Sequence, residues 1–288
     1  MRVPGAISPD PRLDERLAAL ESQFAPLPGV LVAFSGGVDS GVVLAAAVRA
    51  LGPERVVAAT AVSPSLPASE RAGAADFGAA LGVRHAFPRT DELSREGYVA
   101  NAGDRCAFCK TELVDVLVPL AARLGIADVV TGTNADDIKA GFRPGIRAAA
   151  ERGAWAPLAR AGMTKDDVRA AARLWGLPLA DKPAAACLAS RIAYGVPVTA
   201  EGLARVERAE VDLRTAMGAA GLPVRNLRVR DLGSGTARVE VDAALVAELT
   251  ARPGLLTAVA GFDVVDVDPR GFRSGSMNEL LPDPVRYR

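Results

Sequence analysis

Cysteine is scarce in this chain, histidine is scarcer, and charge of neither sign is in excess. Three cysteines, Cys106, Cys109 and Cys187, stand among 288 residues. So sparse and odd a set excludes the disulfide framework of a small secreted scaffold. Lys and Arg together number 34, and so do Asp and Glu, which leaves a net charge of zero. Residues 196–288 alone hold 12 basic and 13 acidic side chains. No segment forms a basic slab, so no nucleic-acid partner is expected. No run reaches the roughly 18 consecutive apolar residues of a membrane span. Residues 42–48 are apolar but short and read as a buried helix. The opening residues MRVPGAISPDPRLDERLAALES lack an apolar stretch between a basic end and a cleavage site. No signal peptide is therefore expected, and the expected compartment is the cytoplasm.

What is present is a chain long enough for two modest domains, 50% hydrophobic and 24% charged, a composition that suits a buried core. Helical patterns at 11–24, 39–51, 68–81 and 109–124 alternate with apolar runs at Val30–Phe34, Arg55–Val62, 83–87 and Asp128–Thr131. Strands separated by helices of this length predict a mostly parallel α/β sheet. A further helix is expected over 164–175. From about residue 197 the order becomes helix (199–218), strand (225–230), strand (236–241), helix (242–251) and strand (262–267). A Gly-Ser-Gly turn at 233–235 joins the first two of these strands, which predicts a small α+β domain. The boundaries expected are 1–195 and 196–288. Trp155 and Trp175 read as core residues.

The strongest motif is Ser35-Gly36-Gly37-Val38-Asp39-Ser40, between the first strand and the next helix. Gly36 and Gly37 permit backbone angles and close approaches that other residues resist. Backbone N–H groups at the helix start then suit an anion. Ser35 and Ser40 add hydroxyls, and Asp39 can hold Mg²⁺. The loop has no Walker A lysine and does not fit the dinucleotide glycine pattern. SGGVDS resembles the pyrophosphate loop (PP-loop) of the N-type ATP pyrophosphatases, whose domain is adenine nucleotide alpha-hydrolase-like. That resemblance implies cleavage of ATP to AMP and pyrophosphate. Thr131-Gly132-Thr133-Asn134-Ala135-Asp136-Asp137 follows the fourth strand. Ligands of open parallel sheets bind at the carboxyl ends of strands, so Gly132 and Asn134 are candidates to line the nucleotide, with Asp136 nearby. An ordinary Asx-type turn capping a helix explains the same residues.

Cys106-Ala107-Phe108-Cys109 is a C-x₂-C pair, with Cys187 about 80 residues on. Two thiolates at that spacing converge readily on one metal or cluster. Four readings stay open on the residues alone. They are inert buried thiols, a zinc site completed by the single histidine, His85, an iron–sulfur cluster with one open iron, and a redox pair.

Residues 182–195, KPAAACLASRIAYG, together with RCAFCK and SGGVDS, closely resemble the LarE family of ATP-dependent sulfur transferases. The resemblance extends to Asn226–Arg230, Ala237–Val241 and Gly271–Asn278. It implies that ATP adenylylates a carboxylate of pyridinium-3,5-biscarboxylic acid mononucleotide. Sulfur then displaces AMP to leave a thiocarboxylate, a step of nickel-pincer cofactor biosynthesis. The family has two sulfur sources. Some members sacrifice one cysteine, matching Cys187, which ends as dehydroalanine. Others hold a [4Fe-4S] cluster on three cysteines and carry a labile sulfide. Having all three, this sequence resembles the cluster type, with Cys106, Cys109 and Cys187 as ligands and a sulfide donor as partner. A homo-oligomer is also implied.

On the strand expected at 225–230, Arg228 and Arg230 face one side, and their forked guanidiniums suit a substrate phosphate. Arg191, near Cys187, is a further anion contact. Solvated surface charges are the plain alternative. Glu240 is either a cross-strand partner of these arginines or an acid of the site. The chemistry is thus expected to rest on Cys187, Asp39, Arg191 and Glu240. A tRNA thiolation enzyme shares the loop and the three thiols, but it needs a basic face that this neutral chain lacks. An amidotransferase synthetase would need a glutaminase domain for which 288 residues leave no room. A non-catalytic nucleotide sensor is the reading from another class.

Overall fold

A computed structural model describes residues 10–139, 144–183, 186–273 and 275–281. Residues 1–9, Ala184, Ala185 and Ser274, which enter the motifs and the leader reading above, lie outside the described residues. The chain divides into two compact units. The first covers 10–91 and 106–183 of the described residues, the second 92–105 and 186–281. The helices in chain order are α1 (Pro11–Ser22), α2 (Val38–Leu51), α3 (Ala68–Leu81), α4 (Glu96–Val99), α5 (Arg105–Arg123), α6 (Ala135–Lys139), α7 (Pro144–Glu151), α8 (Pro157–Arg160), α9 (Lys165–Leu174), α10 (Ala200–Ala219) and α11 (Val246–Thr250).

The first unit is built on parallel strands β1 (Val30–Ala33), β2 (Val56–Ala59), β3 (Arg84–Ala86), β4 (Asp128–Val130) and β5 (Ala154–Trp155). Among the described residues their order is β3-β2-β1-β4-β5, and every pair is parallel. β1 is buried at all four positions, as a central strand covered on both faces must be. Alternate residues point to opposite faces. Val30 and Val32 join α1, α2, α3 and α9 in one core, while Leu31 and Ala33 join Val114, Leu117 and Ala121 of α5 in another. The sheet is therefore a middle layer between helices, the α/β arrangement expected. β5 escapes sequence reading because two residues carry no period.

Local chemistry sets the ends of these helices. Asp10 caps α1 by accepting from the Arg12 N–H, and Pro11 opens the helix, where its missing donor costs nothing. Thr164 and Asp167 form a reciprocal capping box at the start of α9, satisfying two otherwise orphaned groups. Arg16 of α1 pairs with the same Asp167. Burial pushes the Asp167 carboxyl up, but the bonds from Thr164 and the charge of Arg16 hold it below its ordinary value.

In the second unit, β6 (Leu227–Gly233) and β7 (Thr236–Val241) form an antiparallel hairpin, and β8 (Val264–Val267) joins β7 in parallel. Gly233, Ser234 and Gly235 all take positive φ in the turn, which explains the two glycines there. Ala209, Leu213 and Met217 of α10 pack on Leu227, Val229, Val239 and Val241. The segment expected as a helix over 242–251 is a 3₁₀ turn, Ala243–Leu245, followed by α11.

The compact units part at 185/186 rather than 195/196, and 92–105 goes with the second. A buried polar clamp accounts for this. Asn101, in the left-handed region at φ 54°, donates its amide to the carbonyls of Ala193 and Val196, each at 2.8 Å. Arg105 donates to Asn101 Oδ1 at 2.5 Å and to the Ala189 carbonyl at 2.9 Å. Buried polar groups demand partners, and these partners lie about 90 residues away along the chain.

His85 on β3 stacks on Phe87 with ring centroids 4.1 Å apart. The Thr60 hydroxyl donates to the Phe34 carbonyl at 2.6 Å, so it accepts from His85 Nε2–H at 2.8 Å. His85 Nδ1 is buried with no hydrogen-bond partner among the described residues, and a Cβ at Gly78 would meet it at 2.6 Å. Burial lowers the imidazole pKa below 6.5, so the native state favours the neutral ring. The unfolded chain then binds the extra proton as pH falls through about 6.5, and stability present above that pH is lost below it. Thermal midpoints measured from pH 7.5 down to 5.5 should fall, and His85→Gln should flatten that dependence.

Candidate functional site

The sheet order places β1 and β4 side by side, with the chain leaving them for opposite edges. This is a switch point, the position at which open parallel sheets bind ligands. Both loops singled out in the sequence begin there. Ser35–Gly37 runs from β1 into α2, and Thr131–Asn134 runs from β4 into α6. Gly36 takes φ +75°, and Gly37 occupies the N-cap of α2 with no side-chain cap. Ser40 ties the loop together. Its hydroxyl donates to the Gly37 carbonyl at 3.1 Å, accepts from the Ser35 N–H at 3.2 Å and lies 3.1 Å from Ser35 Oγ.

Gly132 sits against the start of α2 so closely that an added Cβ would lie 2.6 Å from the Ser40 nitrogen. Only glycine allows that approach. Asn134 accepts from the N–H groups of Asp136 and Asp137, each at 3.0 Å, and donates its amide to Asp39 Oδ1 at 3.1 Å. It therefore acts both as the helix cap and as a contact to the Ser35–Ser40 loop. Asp136 accepts the Lys165 N–H at 2.8 Å, which makes it an anchor for α9. Two lysines that sequence reading did not single out complete the surroundings. Lys165 pairs with Asp39. Lys182 donates to the Gly36 carbonyl at 2.9 Å and to Glu70 at 2.6 Å. Their signal is weak in sequence, since each lies more than a hundred residues from the loop.

Cys106 and Cys109 lie near the start of α5 at i and i+3, on one face of the helix. Cys106 and Cys187 are exposed, Cys109 is half-buried, and none is in a disulfide. Lys110 stands beside Cys109. Burial lowers its pKa, while the charges of Cys109 and Asp137 oppose the shift. Cys187, in the second unit, is the N-cap of the 3₁₀ turn Leu188–Arg191. Neither unit by itself gathers three His, Cys, Asp or Glu side chains as a metal site among the described residues.

Arg191, Arg228, Arg230 and Glu240 come together in the second unit, all at most 9% exposed. Arg191 binds Glu210 through two bonds, at 2.9 and 3.1 Å. Its remaining arm donates to the carbonyls of Ala186 at 2.5 Å and Cys187 at 3.1 Å, so it holds the turn that carries Cys187. Arg230 donates to Glu240 at 2.7 and 3.1 Å, and Ser276 donates to the other Glu240 oxygen at 2.7 Å. Glu240 faces Arg228 across the hairpin, yet its ion pair is with Arg230, one pleat along. Arg228 lies over the Phe272 ring. Burial pushes its pKa down to about 10, with Arg191 pressing the same way, Glu210 opposing, and Arg230 adding to the fall. A guanidinium so placed is still charged at neutral pH. Glu210 and Ser276 were not anticipated from sequence.

No protein-family model matches the chain. It is 40% identical over 274 residues to a protein of Synechocystis sp. described only as uncharacterized, covering 93% of this chain and 99% of that one. It is 33% identical over 272 residues to the pyridinium-3,5-bisthiocarboxylic acid mononucleotide synthase of Lactiplantibacillus plantarum, covering 93% of this chain and 96% of that enzyme. The chain belongs to this synthase family, the LarE family. As a LarE-family enzyme it aligns with its relatives through both units, since so little of either chain is left uncovered. Among the described residues no LarE-family helix here is long and apolar enough to cross a membrane.

Two outcomes test this geometry. Gly132→Ala should cost about 1–3 kcal/mol in urea unfolding, because backbone atoms of α2 cannot yield as a side chain would. Glu240→Ala should cost about 3–5 kcal/mol by leaving buried Arg230 without its carboxylate, and Glu240→Gln should cost less.

Proposed function

We propose that the chain is an ATP-dependent sulfur transferase acting on pyridinium-3,5-biscarboxylic acid mononucleotide. The observation that supports this best is the SGGVDS loop standing at the β1/β4 switch point of a LarE-family chain. A substrate carboxylate oxygen attacks the α-phosphorus of ATP, and pyrophosphate leaves. The resulting acyl adenylate has a good leaving group where the carboxylate had a poor one. A sulfur nucleophile then adds to the acyl carbon, AMP departs, and a thiocarboxylate remains. Repetition at the second carboxylate yields the bisthiocarboxylic product for which the relative is named.

The assignments follow from position. Ser35, Gly36, Gly37, Ser40, Gly132 and Asn134 bind ATP, with N–H groups at the start of α2 offered to phosphate. Asp39 is the carboxylate that would hold Mg²⁺, whose charge offsets that developing on the phosphates. Arg228 and Arg230 take the substrate phosphate, since buried guanidiniums pressing on one another gain from an anion. Arg191 fixes the turn of Cys187 and adds positive potential there. Glu240 holds Arg230 in place.

Three unbridged thiols, two of them on one helix face, fit the donor set of a [4Fe-4S] cluster. Cys106, Cys109 and Cys187 would be its ligands, and the cluster would supply a labile sulfide as the sulfur source, renewed by an external sulfide donor. The exposure of Cys187 supports a second reading. In it, the Cys187 thiolate attacks the acyl adenylate to form a thioester. Loss of the Cα proton then breaks the Cβ–S bond and leaves dehydroalanine. Either chemistry suits a cytoplasmic enzyme.

Pyrophosphate release should be seen with the pyridinium mononucleotide and not with bulk tRNA. No release with either removes the enzymatic reading, and release with tRNA alone replaces the substrate. Anaerobically purified protein should carry iron and sulfide, and Cys106→Ala or Cys109→Ala should lose both along with multiple turnover. Iron-free protein that loses the mass of one H₂S per turnover would establish sacrifice of Cys187 instead.

A further inference from the structure

The phosphate loop carries no lysine of its own, yet a lysine reaches it from 126 residues further along the chain. Lys165 Nζ donates to Asp39 Oδ2, while Asn134 donates to Asp39 Oδ1 at 3.1 Å. Each carboxylate oxygen of Asp39 therefore already has a protein partner. A magnesium-sized cation takes a carboxylate oxygen at about 2.0–2.1 Å and tolerates little distortion. An ammonium in contact with Oδ2 stands in that same space and repels any second cation entering it.

Lys165 is built to leave. Its backbone is pinned, because its N–H donates to Asp136 Oδ2 at 2.8 Å and it is the first residue of α9, inside the Thr164–Asp167 capping box. Its side chain is free to swing on a flexible four-carbon stem with rotatable donors. The pair is neither sealed nor fully solvated, with the lysine 37% and the aspartate 23% exposed. We propose that Lys165 is a positioning residue of the nucleotide site. It is an internal cation that holds the Asp39 carboxylate in line and competes with a divalent cation for it. When the lysine yields Asp39, its ammonium stays within a side chain's swing of the loop, where it adds to the positive potential on a polyphosphate. The inference rests on the reading of this loop as the ATP site.

The test is binding of Mn²⁺ alone, followed by paramagnetic resonance on the intact chain without nucleotide. Lys165→Met should bind Mn²⁺ about tenfold tighter than the unaltered chain, because the competing charge is gone. Adding Asp39→Asn should abolish that gain, and Lys165→Arg should remain near the unaltered affinity. Lys165→Gln reports the same quantity should the Met variant fold poorly, and circular dichroism checks each. A lysine that merely stabilises α9 would leave Mn²⁺ affinity unchanged in Lys165→Met. Unchanged or weaker Mn²⁺ binding overturns the proposal. Calorimetric titration of the unaltered chain with MgATP keeps the two readings apart. Absence of ATP binding removes the nucleotide reading, whereas ATP binding with unchanged Mn²⁺ affinity removes only the role of Lys165.

Discussion

The contact on which the candidate site depends is a backbone against a backbone, Gly132 against the first turn of α2. Two loops leave neighbouring strands, and with no side chain at Gly132 they touch through main-chain atoms. That approach brings Asn134 within reach of Asp39. Asn134 also caps α6, whose Asp136 receives the N–H of Lys165. The lysine returns to Asp39, and the ring closes. A local steric fact at one glycine thus determines the surroundings of the Asp39 carboxylate.

The second unit solves a different problem by the same means. It buries arginines, which is costly unless each is met by charge or hydrogen bonds. Glu210 and Glu240 meet Arg191 and Arg230, and Ser276 occupies the oxygen of Glu240 that Arg230 leaves open. The result is stiff. Arg191 is held at both ends, by Glu210 and by the carbonyls of the turn that begins at Cys187. Cys187 thus stands on a braced turn while remaining exposed.

The central strands, the long helices and both loops were legible in the residues, because each has a period or a compact motif. β1 is a continuous apolar run, α10 carries helical spacing over twenty residues, and Gly36-Gly37 is contiguous in the chain. Strand β5 and the 3₁₀ turn at Ala243–Leu245 were not legible, being shorter than any period. Lys165 and Lys182 were not legible as site residues either, because a lysine after a capping threonine looks like any helix start. Nor could the residues alone choose between Arg228 and Arg230 as the partner of Glu240. Register makes Arg228 its opposite, but the longer diagonal reach to Arg230 prevails.

By itself the sequence determined the chemical inventory. It supplied a glycine pair at a strand-to-helix turn, three thiols too sparse for a disulfide scaffold, and alternating arginines on one strand. Those are properties of residue type and spacing, and they survive any arrangement of the chain. The tertiary structure decided which of them meet. Asp39 acquires a lysine and an asparagine, Arg191 turns from a free anion contact into the brace of a cysteine turn, and Glu240 becomes a buried counter-ion. The partners of Asp39 lie 95 and 126 residues along the chain, and Ser276 reaches Glu240 across 36. Even the nearer pairs, Arg191 with Glu210 and Arg230 with Glu240, meet only because a 3₁₀ turn packs on a helix or two strands pair.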